Sequence, residues 1–262
     1  MSTSYETLEL SVDARGVATL SLNRPEKHNA MSAVMLDELT AAVAELGARA
    51  DVRVVVLAAN GASFCAGGDL GWMRAQFDAT RSERMAEARK LANMLQALNL
   101  LPKPLIGRVQ GPAYGGGVGM MSVCDVTVAV DDARFGLTET KLGLIPATIS
   151  PYVLARMGEG RARRVFMSAR LFATAEAIEL GLVAKMVSAD QLDEAVEFEV
   201  APYLKVSPDA VAAAKALARS LGPVIDEAVI EDTVGRLADC WEHPAAMEGI
   251  GAFFDKRKPS WL

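Results

Sequence analysis

The chain has 262 residues, 51% hydrophobic and 23% charged, the balance of a packed soluble globule large enough for one α/β unit. A net charge of −6 with scattered lysines and arginines excludes the basic footprint of a nucleic-acid binder. Three distant cysteines without a CxxC exclude a disulfide framework or zinc cage and fit a reducing compartment.

In chain order, "TLELSVD" (7–13) and "VATLSLN" (17–23) alternate apolar and polar around "ARG" and predict a β-hairpin. A helix follows over 33–50. Val52–Ala59 is an almost unbroken apolar run, the mark of a strand covered on both faces. A long helix over 79–101 ends at Pro102 and Pro104, and Leu105–Gly111 reads as the next strand. Then come a glycine-rich helix and the strand Val126–Val130. This alternation implies a parallel sheet with right-handed crossovers. Beyond Val153 the pattern is almost all helical, giving an α/β core over 1–190 and a helical region over 191–262. The N-terminus lacks a basic and an apolar leader region, and no apolar run is long enough for a bilayer, so a cytoplasmic protein without membrane partners is expected. "GRARRV" (160–165), the densest cationic cluster, reads as a solvated or subunit-facing turn.

Two loops join small residues to strand ends: "NGASFCAGGDL" (60–70) and "GPAYGGGVG" (111–119). Each glycine inside a helix costs about 0.5–1 kcal/mol relative to alanine, so Gly115, Gly116, Gly117 and Gly119 need a reason. Backbone N–H groups at a helix start, unobstructed by side chains, can donate to a developing oxyanion, and two loops supply two donors. Close helix–strand packing explains the same glycines equally well. Met120 stands where GxGxxG needs its last glycine, and neither GxxxxGK[ST] nor GxSxG occurs. A Cys65–His28 nucleophile pair weighs less than Cys65 as a small buried residue.

The segments "LNRPEKHNAM" (22–31), "SFCAGGDL" (63–70), "GPAYGGGVGMMSVCD" (111–125), "FGLTETKLGLIP" (135–146), "AIELGLV" (177–183) and "AFFDKRKP" (252–259) occur in one order across most of the chain. In these the sequence resembles the crotonase (enoyl-CoA hydratase/isomerase) superfamily. The resemblance implies a spiral of ββα units with a helical C-terminal trimerisation region, assembled as a homotrimer or a hexamer of paired trimers. It implies an acyl-CoA thioester substrate whose coenzyme A is part of the substrate, with no metal and no resident cofactor.

Residue by residue, the resemblance makes the Gly68 and Gly116 N–H groups the donors to the thioester carbonyl. Lys27 lies near the CoA phosphates, Ala30 by adenine, and Ala66, Asp69 and Leu70 along the same groove. Phe253 and Lys256 reach the CoA of a neighbouring subunit. Hydratases of the family use two glutamates; Glu139 matches one, and Gly119 stands in place of the other. "LGLIPATISPYV" (142–153) with "GGGVG" resembles the bacterial branch that hydrates 3-methylglutaconyl-CoA in leucine breakdown, and the related isohexenylglutaconyl-CoA hydratases.

On this reading Glu139 is general acid/base, Gly119 leaves room for a β-branch, and Thr148 or Ser150 holds the water. Arg74 is the candidate for a distal carboxylate. A Δ3,Δ2-enoyl-CoA isomerase, which needs one base, is the alternative within the family. A catalytically silent acyl-CoA-binding or RNA-associated homologue is the alternative outside enzymology.

Overall fold

The structure is a computed structural model that describes residues 5–262; Met1–Ser4, part of the segment read above for a leader, lie outside the described residues. Strands β1 (Leu8–Val12) and β2 (Val17–Leu22) form the expected hairpin, with Leu8 opposite Leu22. Its turn is held by Asp13, whose carboxylate accepts from the Arg15 and Val17 N–H groups. Helix α1 (Ala33–Ala48) starts at Ser32, whose hydroxyl accepts from Met35 N.

Strand β3 (Val54–Ala59) is buried at every residue, flanked in parallel by β2 and by β4 (Leu105–Val109). Both faces being covered, its sequence has no polar alternation. Between β3 and β4 run α2 (Leu70–Ala75) and α3 (Arg81–Leu100), the latter opened by a Thr80–Glu83 capping box. After β4 come β5 (Ala113–Tyr114), the fully buried α4 (Gly116–Val123), β6 (Val126–Val130) and β7 (Arg134–Gly136). Then follow α5 (Ser150–Met157), α6 (Glu159–Phe166), β8 (Phe172–Ala173), α7 (Thr174–Glu179) and β9 (Lys185–Val187). Helices α8 (Leu192–Val200), α9 (Pro208–Ser220), α10 (Glu227–Glu242) and α11 (Pro244–Phe254) complete the chain.

The strands form a six-stranded sheet, β1-β2-β3-β4-β6-β9, parallel from β2 onward, and a small sheet, β5-β7-β8. The second sheet and β9 were not foreseen: strands of two or three residues are too short to show alternation. The strand expected from Val52 starts at Val54, because Val52 N is turned back to Arg49 O. Likewise β4 ends at Val109 rather than Gly111.

Packing of the main core continues past residue 190, since Leu192, Ala195, Val196 and Val200 of α8 are part of it. Helix α10 lies on α3 through Ile230 and Val234 against Ala88 and Ala92. Helix α11 places Ala246 and Ile250 with Trp241 and Leu144. The C-terminal helices thus close over the chain's own α/β core. No helix among the described residues is long and apolar enough to cross a membrane.

Candidate active site

A cavity of about 480 Å³ opens between the two glycine loops, the turn carrying Glu139, segment 144–149, α3 and the last two helices. Gly68 and Gly116 both line it. Met31 N donates to Gly67 O (2.8 Å) and Asp69 N to Met31 O (2.9 Å), pinning the first loop on either side of Gly68. The Gly68 N–H between them meets no protein acceptor among the described residues. Gly116 is the first residue of α4, where an N–H has no intrahelical carbonyl.

The packing reading of the glycines holds. A Cβ on Gly116 would collide with Met31 Cε, and one on Gly117 would lie 2.8 Å from Cys65 O. The glycines therefore let the loops touch, and that contact brings the two donors to one cavity.

Glu139 opens a 3₁₀ turn (Glu139–Leu142). One carboxylate oxygen lies against the Gly115 backbone, where a Cβ would come within 2.9 Å of Oε1. The other, Oε2, is buried without any hydrogen-bond partner among the described residues. Burial pushes the Glu139 pKa up to about 7, a self-directed backbone hydrogen bond opposing it only in part. No other carboxylate lines the cavity among the described residues. The turn is backed by α11: a Cβ on Gly143 (φ +71) would strike Ala245 O, and one on Gly249 would lie 2.5 Å from the Leu142 carbonyl carbon.

Several predicted residues sit elsewhere than expected. Gly119 leaves no room for a branch, since a Cβ there would lie 2.8 Å from Ile149 Cγ2 and 3.4 Å from Leu95 Cδ1. Ile149, which lines the cavity, has filled the space. Thr148 also lines the cavity, and its hydroxyl has no protein partner among the described residues. Ser150 does not line it; its hydroxyl donates to Ala147 O at 2.6 Å. Arg74 is turned away, its guanidinium 4.8 Å over the Phe254 ring.

Ala66 and Leu70 line the cavity, whereas Lys27, Ala30 and Asp69 do not. Lys27 is exposed on the turn Pro25–Lys27, and Ala30 O accepts from Arg24 Nη1 at 2.7 Å. Asp69 caps α2, accepting from Gly71 N (2.8 Å) and Trp72 N (3.2 Å), and pairs with Arg24 at 3.1 Å. Burial raises its pKa, but these donors more than reverse that and hold it below the usual range. Phe253 lines the cavity of its own chain, because α11 folds back on its own core; Lys256 does not line it.

Arg84 and Lys141, not singled out in the sequence, are the cations that line this cavity. For Arg84 the signal was its spacing, since Arg84, Ala88 and Leu91 share one face of α3. Cys65 and His28 form no pair. Burial pushes the Cys65 thiol up to about 12, and His28 Nδ1 lies 3.0 Å from Ser63 Oγ.

A second cavity, about 740 Å³, lies beneath α9 and receives Tyr152, whose hydroxyl donates to Gln96 Oε1 at 3.1 Å. In its wall Lys215 Nζ meets Asp125 Oδ2 at 2.7 Å and donates to Lys103 O at 2.9 Å; Leu105 N donates to the same Asp125 oxygen. That network ties α9 to β4 and contains neither Glu139 nor the glycine donors.

Residues 13–262 match the family described as enoyl-CoA hydratase/isomerase. Enoyl-CoA hydratase ACTT6 of Alternaria alternata is 35% identical over 82% of this chain and 69% of its own length. The crystal structure of an enoyl-CoA hydratase from Shewanella pealeana superposes with a TM-score of 0.80 at 38% identity, over 98% of this chain and 96% of that one. An enoyl-CoA hydratase structure from Mycobacterium avium gives 0.86 at 29% identity, over 99% and 100%. The fold, the two glycine loops and this breadth of likeness lead to one conclusion: the chain belongs to the enoyl-CoA hydratase/isomerase family, the crotonase superfamily.

Proposed function

We propose that the protein adds water across a 2-enoyl-CoA double bond with Glu139 as its one acid/base group. The observation that carries this reading is the carboxyl of Glu139, the one carboxylate lining the cavity among the described residues, with Oε2 buried and without a partner there and its pKa pushed up to about 7, beside Gly68 and Gly116. In the proposed reaction the thioester carbonyl accepts from Gly68 and Gly116 N–H. The ionised Glu139 takes a proton from water as its oxygen bonds the β-carbon, and electrons move onto the thioester oxygen. The two N–H groups stabilise that enolate, each by about 3 kcal/mol. Glu139 then returns the proton to the α-carbon and is ionised again. The free hydroxyl of Thr148 is the group offered to the water.

For the substrate we propose a β-branched, glutaconyl-type acyl group such as 3-methylglutaconyl. Support comes from the resemblance of "GGGVG" with "IPATISPYV" and from a cation-lined cavity; with Ile149 against Gly119, room at residue 119 does not contribute. Isomerisation of a 3-enoyl-CoA is the second reading. It is favoured by Ile149 standing where a second carboxylate would be needed to share the work. Assembly into trimers, or hexamers of trimers, belongs to the same proposal, supported by the exposed Leu217, Leu221 and Val224 in and after α9.

The test is loss of the enoyl-thioester absorbance with 3-methylglutaconyl-CoA and with crotonyl-CoA. Hydration is expected to be faster with the branched acid. No loss with either substrate, but conversion of a 3-enoyl-CoA, would replace hydration by isomerisation.

A further inference from the structure

We infer that Arg84 and Gln76 form a receptor for a carboxylate at the far end of the acyl chain. This rests on the acyl-CoA reading above and names a feature of the substrate that the reading alone does not locate.

Helix α3 measures the distance. Leu91, Ala88 and Arg84 line the cavity from one helix face. Leu91 Cδ1 marks the thioester end, 3.7 Å from where a Cβ on Gly116 would stand. Arg84 lies two turns earlier, about 10 Å along the axis, and helical side chains lean further toward the N-terminus. The cation is therefore at the end of the cavity remote from the oxyanion donors.

Arg84 is held in place. Its Nε donates to Gln76 O (2.8 Å) and its Nη2 to Phe77 O (3.0 Å), while its guanidinium carbon stands 5.3 Å over the Trp241 ring. That leaves Nη1 without a protein partner among the described residues. The nearby carboxylates of Asp239 and Glu242 are engaged by Arg81. Glu139, the one carboxylate in the lining, belongs to the other end.

Gln76 supplies the second element. It is only 6% exposed and lines the cavity, and its side-chain amide has no protein partner among the described residues. An amide and a fixed guanidinium that both face the cavity would lose water and gain no partner against an alkyl terminus. Facing a carboxylate, Nη1 and the amide N–H both gain an acceptor, while Leu237 and Ala88 cover the methylenes leading to it.

Calorimetric binding of saturated thioesters tests the receptor independently of turnover. Glutaryl-, adipyl- and suberyl-CoA are compared with valeryl-, hexanoyl- and octanoyl-CoA on the wild type, Arg84→Met and Gln76→Leu. At least one carboxylated ligand is expected to bind the wild type about tenfold or more tightly than its plain partner, as hydrogen bonds to a charged group allow. Both variants are expected to lose that ratio. Equal binding of the two series, or a ratio that survives Arg84→Met, overturns the receptor. So does a common weakening of both series with the ratio kept, which marks Arg84 as a brace for the 76–77 carbonyls. If the ratio holds but no 2-enoyl-CoA is hydrated, the receptor stands and the hydratase reading falls.

Discussion

Each of the two cavities has one carboxylate in its wall, and the two differ in what surrounds them. Beneath α9, Asp125 receives Lys215 and the Leu105 N–H on one oxygen. In the acyl cavity, Glu139 Oε2 has no partner. With a cation and a backbone N–H on one oxygen, such a carboxylate fastens one element to another. Without them, burial pushes the Glu139 pKa up to about 7, which suits the acid/base role proposed for it.

The largest expected effect breaks the reactive member of this pair. Glu139→Gln should lower kcat by about 10²–10⁴-fold, the usual worth of a positioned acid/base group. The same change has a stability signature. Folded Glu139 binds its proton more tightly than the unfolded chain does, so its contribution is full below about 4.5 and is lost as pH rises through about 7. The glutamine variant should therefore be more stable than wild type by up to about 3 kcal/mol near pH 8 and equal to it near pH 4, by urea denaturation. An unchanged difference between those pH values would show that burial does not raise the Glu139 pKa.

Breaking the structural member should do the reverse. Lys215→Met leaves Asp125 without its cation, and the pair is partly exposed, with side-chain accessibilities of 10% and 23%. A loss of about 2–3 kcal/mol in urea midpoint stability is expected, below the range for a fully buried pair, with kcat/KM left at the wild-type level. A fall in kcat/KM without loss of stability would mean that the cavities are coupled.

The smallest effect sharpens the boundary of the acyl cavity. Gly119→Ala gains about 1 kcal/mol of helix propensity but meets Ile149, and overpacking costs about 1–3 kcal/mol. A net loss of about 1 kcal/mol is expected, recovered in part when Ile149→Ala is added. A Gly119→Ala protein as stable as wild type would show that Ile149 does not fill the space.

Periodicity made the long elements legible: the hairpin, β3, α1 and α3 all follow patterns that depend on near neighbours in the chain. The small sheet did not show, because Ala113–Tyr114 and Phe172–Ala173 are ordered by strands far away in sequence. The glycine loops were visible for the same local reason, whereas Glu139 was found through the family resemblance. Gly119 misled because a sequence shows which side chain is missing but not which other one moves in; Ile149 occupies that space. Arg74 and Arg84 differ in a way composition cannot register. One covers Phe254 from outside, while the other is carried inward on the Ala88–Leu91 face of α3.

The close backbone contact of Gly143 and Gly249 makes the turn bearing Glu139 and helix α11 a single mechanical piece. A ribosome delivers the two halves of that piece at different times. The turn that carries Glu139 is made before α11, the helix it rests on. If the proposed role of Glu139 is right, recovery of activity on refolding is expected to trail recovery of β-sheet signal, and simultaneous recovery would show that the turn is ordered without α11.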